Sequence, residues 1–195
     1  MLFANYIDHT LLKANATVND IKKLCTEAKD YAFCAVCINS YYVGLAASEL
    51  RNTNIKIAAV AGFPLGAMSS KTKIYEAQQC IDDGADEIDM VLNIGLLKSG
   101  YYKIVEDEIS SIKKAIEGNT LKVIFENCYL TDQEKKIACK LSLNAGADFI
   151  KTSTGFGTSG ATLQEYLLHK ILKMIIFMLC KAKRFTKKNY STIFS

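Results

Sequence analysis

The sequence predicts an α/β fold on a parallel sheet, from three observations. Short β-rich runs alternate with longer stretches of helical period. The short runs are apolar on both faces, as expected of strands in a sheet covered by helices. Successive units are about 31 residues long, the size of a βαβ unit. That length suits a (β/α)8 barrel of the TIM type, with a doubly wound open sheet as the alternative. No GxGxxG follows the first strand, so the dinucleotide-binding form of the open sheet loses its main support.

Each element has a local reason. Thr17 and Asp20 resemble a capping box opening a helix to about Asp30. Phe33 to Ile38 reads as a buried strand, and Ser40 as the cap of a helix from Tyr41 to Arg51. Lys56 to Ala61 is β-rich, and residues 62–66, GFPLG, form a turn holding the only proline. Helices are expected over Ser69–Asp83, Tyr101–Glu117 and Thr131–Ala145, and strands over Glu87–Leu92, Leu121–Glu126 and Asp148–Lys151. Thr162 and Glu165 read as a capping box for one more helix.

Composition narrows the function classes. The chain has 195 residues, 50% hydrophobic and 23% charged, which is globular and excludes a disordered or collagen-like chain. The longest apolar run, Ile171 to Cys180, contains Lys173 and is half the ~20 residues needed to span a bilayer. No membrane association is expected. The N-terminus shows no secretory pattern, and seven cysteines lack framework spacing, which reads as a cytoplasmic chain with reduced thiols. The net charge of +4 is uneven. Residues 1–169 carry 17 Lys and Arg against 20 Asp and Glu, whereas residues 170–195 carry seven Lys and Arg and no acid. A basic tail can bind nucleic acid, but no tyrosine stacking platform accompanies this one, and no nucleic-acid partner is expected.

The candidate chemistry comes from an internal repeat. Gly84-Ala85-Asp86-Glu87-Ile88-Asp89 recurs 62 residues later as Gly146-Ala147-Asp148-Phe149-Ile150-Lys151. Glycine can end the preceding helix in each copy, and the sixth position is ionisable inside an apolar strand. In a barrel, alternate strands contribute to one interior layer, so Asp89 and Lys151 would point inward at equal height. A buried salt bridge without chemistry is the alternative. Small and hydroxylated residues follow Lys151, from Thr152 to Gly160, and suit an oxyanion or phosphate. An inward lysine at the C-terminal end of a barrel strand is placed to form a Schiff base, given a lowered pKa, and Asp89 to shuttle a proton. Cys34 and Cys37 form a CxxC inside a strand, which favours packing over redox chemistry. His9 and His169 carry no metal-ligand pattern, and His9 reads as structural. Glu126 ends the fifth strand, with Lys122 as its ion partner.

The stretches YIDHTLLK (6–13), GFPLGA (62–67), GADEIDMVLNIG (84–95), LKVIFENCYLTDQEK (121–135) and AGADFIKTSTGFGTSGAT (145–162) resemble deoxyribose-phosphate aldolase. The resemblance implies a (β/α)8 barrel and a class I aldolase without metal or cofactor. Such enzymes reversibly cleave 2-deoxy-D-ribose 5-phosphate to acetaldehyde and D-glyceraldehyde 3-phosphate, a step of deoxyribonucleotide catabolism. By resemblance, Lys151 matches the Schiff-base lysine and Asp89 the proton-relay aspartate. Asp8 falls where the family has an acid near the substrate. Thr154 and Gly155 match the stretch lining the sugar-phosphate pocket. Tyr6–Asp8 becomes the first strand and a homo-oligomer is expected.

The family pattern stops near residue 168. The barrel is therefore expected to be incomplete, with residues 1–168 giving strands 1 to 6, strand 7 degenerate and strand 8 missing. Residues 169–195 read as an aberrant basic segment arising from a frameshift or truncation. The Lys-Ala-Ser-Gly-Gly-Ile-Arg motif that supplies the family's second lysine is reduced to Lys181-Ala182. A weakly active or inactive remnant that binds sugar phosphate or a partner chain is the competing reading.

Overall fold

Every strand pairs with its neighbour in sequence, in parallel, giving the order β1 to β7 without reversal. The structure is a computed structural model that describes residues 4–161 and the two residues 176–177. The strands are β1 (Asp8–Leu11), β2 (Ala35–Ile38), β3 (Lys56–Ala61), β4 (Glu87–Val91), β5 (Thr120–Ile124), β6 (Phe149–Lys151) and β7 (Ile176–Phe177). A doubly wound sheet reverses its strand order at a switch point; this one does not, and its order is that of a TIM-type barrel. β7 falls within the basic segment and pairs with β6 through Ile150–Ile176 and Lys151–Phe177. The expected helix after Thr162 lies outside the described residues.

Helices α1 (Val18–Tyr31), α2 (Val43–Glu49), α3 (Ser70–Asp82), α4 (Ile94–Lys98), α5 (Tyr102–Ala115) and α6 (Asp132–Asn144) run between the strands. Both α1 and α6 open with full capping boxes, Thr17 with Asp20 and Thr131 with Glu134. Residues Ile21, Leu24, Cys25 and Ala28 form the buried stripe of α1 at helical spacing. Gly84 and Gly146, before β4 and β6, take φ of +107° and +82°, so both copies of the repeat use glycine to leave a helix.

Three boundaries differ from the sequence reading. Residues Ala4–Tyr6 form a 3-10 turn, and the first strand begins only at Asp8, because the amides of Cys34 and Ala35 are drawn to the Ile7 carbonyl ahead of the ladder. Ser40 begins a 3-10 turn instead of capping a helix, since its hydroxyl donates to Glu76 Oε1 at 2.9 Å. The short α4, whose Leu96 amide donates to the capping Asn93 Oδ1 at 3.1 Å, is only a turn and a half long, too short for periodicity to mark.

Alternation along the strands divides the interior. Val36, Ile38, Ala59, Ile88, Met90, Leu121, Val123 and Ile150 face the helices and join one large core. Leu12, Cys37, Ala58 and Val60 form a separate cluster on the other face of the sheet, with Phe63 against it. Under the helices lies a buried ion pair. Lys73 of α3 donates to Glu108 Oε1 of α5 at 2.7 Å and to the Val91 carbonyl at 2.9 Å, while Ser70 donates to Glu108 Oε2 at 2.7 Å. Burial pulls the Lys73 pKa down against the opposing pull of Glu108. This pair fastens two helices to the end of β4, two residues beyond Asp89. Among the described residues, no helix is long and apolar enough to cross a membrane.

Candidate active site

Four strands contribute the charged residues of the inner face. Asp8 comes from β1, Glu87 and Asp89 from β4, Lys122 from β5 and Lys151 from β6, and all five are buried. The ladder pairs Asp89 with Lys122 and Lys122 with Phe149. Moving straight across the ladder from Asp89 therefore arrives two residues short of Lys151. A barrel of eight strands and shear eight slips about one residue per strand. Over two strands that slip raises Phe149 to Lys151, so the side chains converge at one level.

The convergence is close. Lys151 Nζ donates to Asp89 Oδ2 in direct contact and lies 3.4 Å from Asp8 Oδ2. Lys122 Nζ contacts Glu87 Oε2, donates to Asp8 Oδ2 at 2.9 Å and lies 3.4 Å from Asp89 Oδ1. The last approach lacks hydrogen-bond geometry, and Oδ1 of both Asp8 and Asp89 is buried without a hydrogen-bond partner. Two unsatisfied carboxylate oxygens facing two ammonium groups leave acceptor capacity beside Lys151. Cys37 Sγ donates to Asp89 Oδ2 at 3.6 Å.

Burial opposes the charge on Asp89, but Lys122 and Lys151 outweigh it and hold its pKa below the ordinary carboxylate range. Burial likewise opposes the charge on Lys151. Asp89, with Cys37 and Asp8, overcomes both burial and the repulsion of Lys122, and the pKa is raised. The resting site is thus a closed ammonium–carboxylate pair. Lys122 is the second cation beside Lys151 among the described residues, and the carboxylates outweigh it.

The loop after β6 is held by a different carboxylate. Thr154 donates its hydroxyl to Glu126 Oε2 in close contact, and its amide to the same oxygen at 3.2 Å. Phe156 N donates to Thr154 Oγ1 at 3.0 Å. The Thr154 hydroxyl is therefore engaged on both sides. Gly155 takes φ of +84°, a conformation open to glycine, and turns the chain back over the strand ends. A Cβ at Gly157 would come within 2.8 Å of the Glu126 carboxyl, so the loop packs directly on it.

The expected Glu126–Lys122 pair does not form. Glu126 lies beyond the end of β5 with φ of +52°, outside the strand alternation, and turns to Thr154. Lys122 belongs to the strand proper and turns to Asp8, Glu87 and Asp89. Its signal was available, since a lysine inside the apolar run LKVIF stands as Asp89 does inside EIDMV. His9 Nε2 is 2.8 Å from Glu27 Oε2 and its ring packs on Phe33, while its buried Nδ1 makes no hydrogen bond among the described residues. Cys34 and Cys37 are free thiols, and burial pushes Cys37 up to about 12. Among the described residues, no group of three or more His, Cys, Asp or Glu side chains is arranged to hold a metal.

A parallel sheet in barrel order, with a buried lysine held against a carboxylate at the strand ends, defines a TIM-type barrel with a candidate amine nucleophile. The chain belongs to the DeoC/LacD family of aldolases, whose model matches residues 2–189, past the last recognisable motif. It is 56% identical over 165 residues to a deoxyribose-phosphate aldolase of Finegoldia magna, covering 85% of this chain and 78% of that one. It is equally 56% identical, over 167 residues, to one from Aciduliprofundum boonei, covering 85% and 75%. The fold superimposes on a deoxyribose phosphate aldolase from Aeropyrum pernix, described as tetrameric, with TM-score 0.82 and 33% identity over 89% of this chain and 75% of that one.

Proposed function

We propose that this chain carries deoxyribose-phosphate aldolase chemistry, the reversible cleavage of 2-deoxy-D-ribose 5-phosphate to acetaldehyde and D-glyceraldehyde 3-phosphate. The observation that carries the reading is the buried Lys151–Asp89 pair, with Lys151 at the C-terminal end of β6, where barrel enzymes place their catalytic groups, and Asp89 reaching it from the middle of β4. Lys151, once neutral, adds to the C1 carbonyl and loses water to give an iminium ion. A base takes the proton of the C3 hydroxyl as the C2–C3 bond breaks. The bonding pair flows to the iminium nitrogen, leaving an enamine and glyceraldehyde 3-phosphate. Protonation of the enamine carbon and hydrolysis release acetaldehyde and restore the amine.

Asp89 is the proton carrier of this reading, since it touches the reacting nitrogen. Asp8, 3.4 Å from the same nitrogen, orients it. Thr154 and Gly155 shape the sugar-phosphate side of the pocket through the turn that Glu126 fixes. The free cysteines suit a reducing cytoplasm, and the tetramer of the Aeropyrum relative supports a homo-oligomer. Borohydride reduction with acetaldehyde tests the reading. An adduct mass on the Lys151 peptide, with cleavage of deoxyribose 5-phosphate by the same preparation, is expected. No adduct and no cleavage would favour the non-catalytic remnant.

A further inference from the structure

The carboxylates around Lys151 extend beyond those that touch it. Glu87 is buried two residues before Asp89 on the same face of β4. Its carboxylate contacts Lys122 from β5 on one side and lies 3.2 Å from Lys56 of β3 on the other. The Lys56 side chain is half exposed and lines an open cleft at the start of β2 and β3. Lysines and carboxylates therefore alternate in a column, from solvent at Lys56 through Glu87, Lys122 and Asp89 to Lys151. Cys34 also lies within the field of Glu87. Glu87 takes no part in the proposed cleavage, yet a buried carboxylate is rarely tolerated without a partner it serves.

We propose that Glu87 is a positioning residue that sets the charge state of Lys151 through Lys122. It anchors Lys122 from below, so that Lys122 divides its donors among three carboxylates and leaves Asp89 and Asp8 able to hold Lys151 as an ammonium ion. With Glu87 in place, the buried cluster holds Asp8, Glu87 and Asp89 against Lys122 and Lys151, an excess of one negative charge. Removing the Glu87 charge acts twice in one direction. The field at Lys151 becomes less negative, and Lys122 turns wholly to Asp8 and Asp89, competing with Lys151 for them. The groups facing Lys151 are Asp8 from β1, Cys37 from β2, Asp89 from β4 and Lys122 from β5; all remain in the variant.

The proposal deepens the functional reading, since it takes Lys151 as the reacting amine, but its test does not need turnover. In protein labelled with ¹³C,¹⁵N-lysine, the Lys151 side-chain signal is assigned by its loss in Lys151→Arg and followed against pH. Glu87→Gln should lower the Lys151 midpoint by on the order of one pH unit, as expected for a charge at most ~9 Å away at an effective dielectric of ~20. Glu87→Asp, which keeps the charge, should return the midpoint most of the way to the parent value. Lys56→Met, which removes a competing cation and leaves Glu87 wholly to Lys122, should raise the midpoint by a few tenths of a unit, and it supplies the answer should Glu87→Gln not fold. An unchanged midpoint in folded Glu87→Gln, or an unchanged or lower one in Lys56→Met, would overturn the proposal and make Glu87 a structural bridge only. Loss of acetaldehyde trapping in the parent chain would count against the functional reading without touching this one.

Discussion

Replacing Asp89 with asparagine separates imine formation from proton transfer. The Asp89 carboxylate is fully buried and in contact with Lys151 Nζ, while Lys122 lies 3.4 Å away. Two unit charges about 4 Å apart at an effective dielectric of ~20 interact by ~4 kcal/mol. At ~1.4 kcal/mol per unit this is up to ~3 pH units on the lysine. Asp8, 3.4 Å from the same nitrogen, remains and retains part of the hold. We therefore expect the pH midpoint for trapping acetaldehyde on Lys151 to fall by about 2 units, with ~100-fold more neutral amine at pH 7. Turnover should move the opposite way, falling ~10²–10⁴-fold as the proton carrier is lost.

The assay is borohydride trapping followed by peptide mass, from pH 6 to 10, beside a cleavage assay on the same protein. Stability supplies an independent check of sign. The raised pKa of Lys151 contributes stability that is complete below its ordinary 10.5 and lost as pH rises through the raised value. The lowered pKa of Asp89 contributes stability that is complete above its ordinary 3.8 and lost as pH falls through the lowered value. The variant should lose the Asp89 dependence and most of the Lys151 dependence, Asp8 keeping the rest, while its stability near neutrality changes little, because a buried charge has also been removed. Full turnover in Asp89→Asn, or a trapping midpoint unmoved from the parent, would refute the reasoning and leave Asp89 a structural ion-pair partner.

Further outcomes follow from the same contacts. Lys151→Arg keeps a cation that does not deprotonate, so it should abolish both adduct and turnover; an adduct persisting on another lysine would overturn the assignment. Lys73→Met should destabilise the chain in urea by ~3–5 kcal/mol by leaving Glu108 buried and unpaired, and Lys73→Met with Glu108→Leu should recover most of that loss; equal losses in single and double variants would contradict it. Burial raises Cys25 to about 11 and Cys37, Cys80 and Cys139 to about 12. Their neutral thiols favour the fold, and stability should fall as pH rises from 9 toward 12. In the native protein, Cys128, only partly buried, should react with a thiol reagent ahead of those four.

Much of this site was legible because the strands are short and uniformly apolar, so an ionisable residue within one stands out. The repeat placed Asp89 and Lys151 at matching positions, and barrel shear turned matching positions into contact. Lys122 stood out by the same rule, but its partners could not be read, because Asp8 and Glu87 lie on strands whose register no local pattern states. Glu126 misled for a related reason. It follows the strand directly in sequence, and only its left-handed backbone shows that alternation had already ended. Ser40 does not cap a helix because a hydroxyl serves a helix start or a distant carboxylate equally well, and Glu76, 36 residues on, decides between them. Capping boxes at Thr17 and Thr131 were legible because both partners lie within one turn.

The division of the inner face sets the electrostatic environment in which the proposed chemistry of these charges would run. On one side stand Leu12, Cys37, Ala58 and Val60, with Phe63 packed against them and its ring 5.5 Å from that of Phe156. This wall excludes water and keeps the local dielectric low. On the other side stand the carboxylates and lysines of β4, β5 and β6, joined by Asp8. An apolar wall strengthens every charge interaction opposite it, which makes the Lys151–Asp89 pair sensitive to one added or removed charge. Replacing the charged side by well-packed apolar residues would be neutral or stabilising by the usual behaviour of buried ion pairs. Stability therefore does not account for five buried ionisable groups in one cluster. The role proposed for Lys151, a proton held and then released, would account for them.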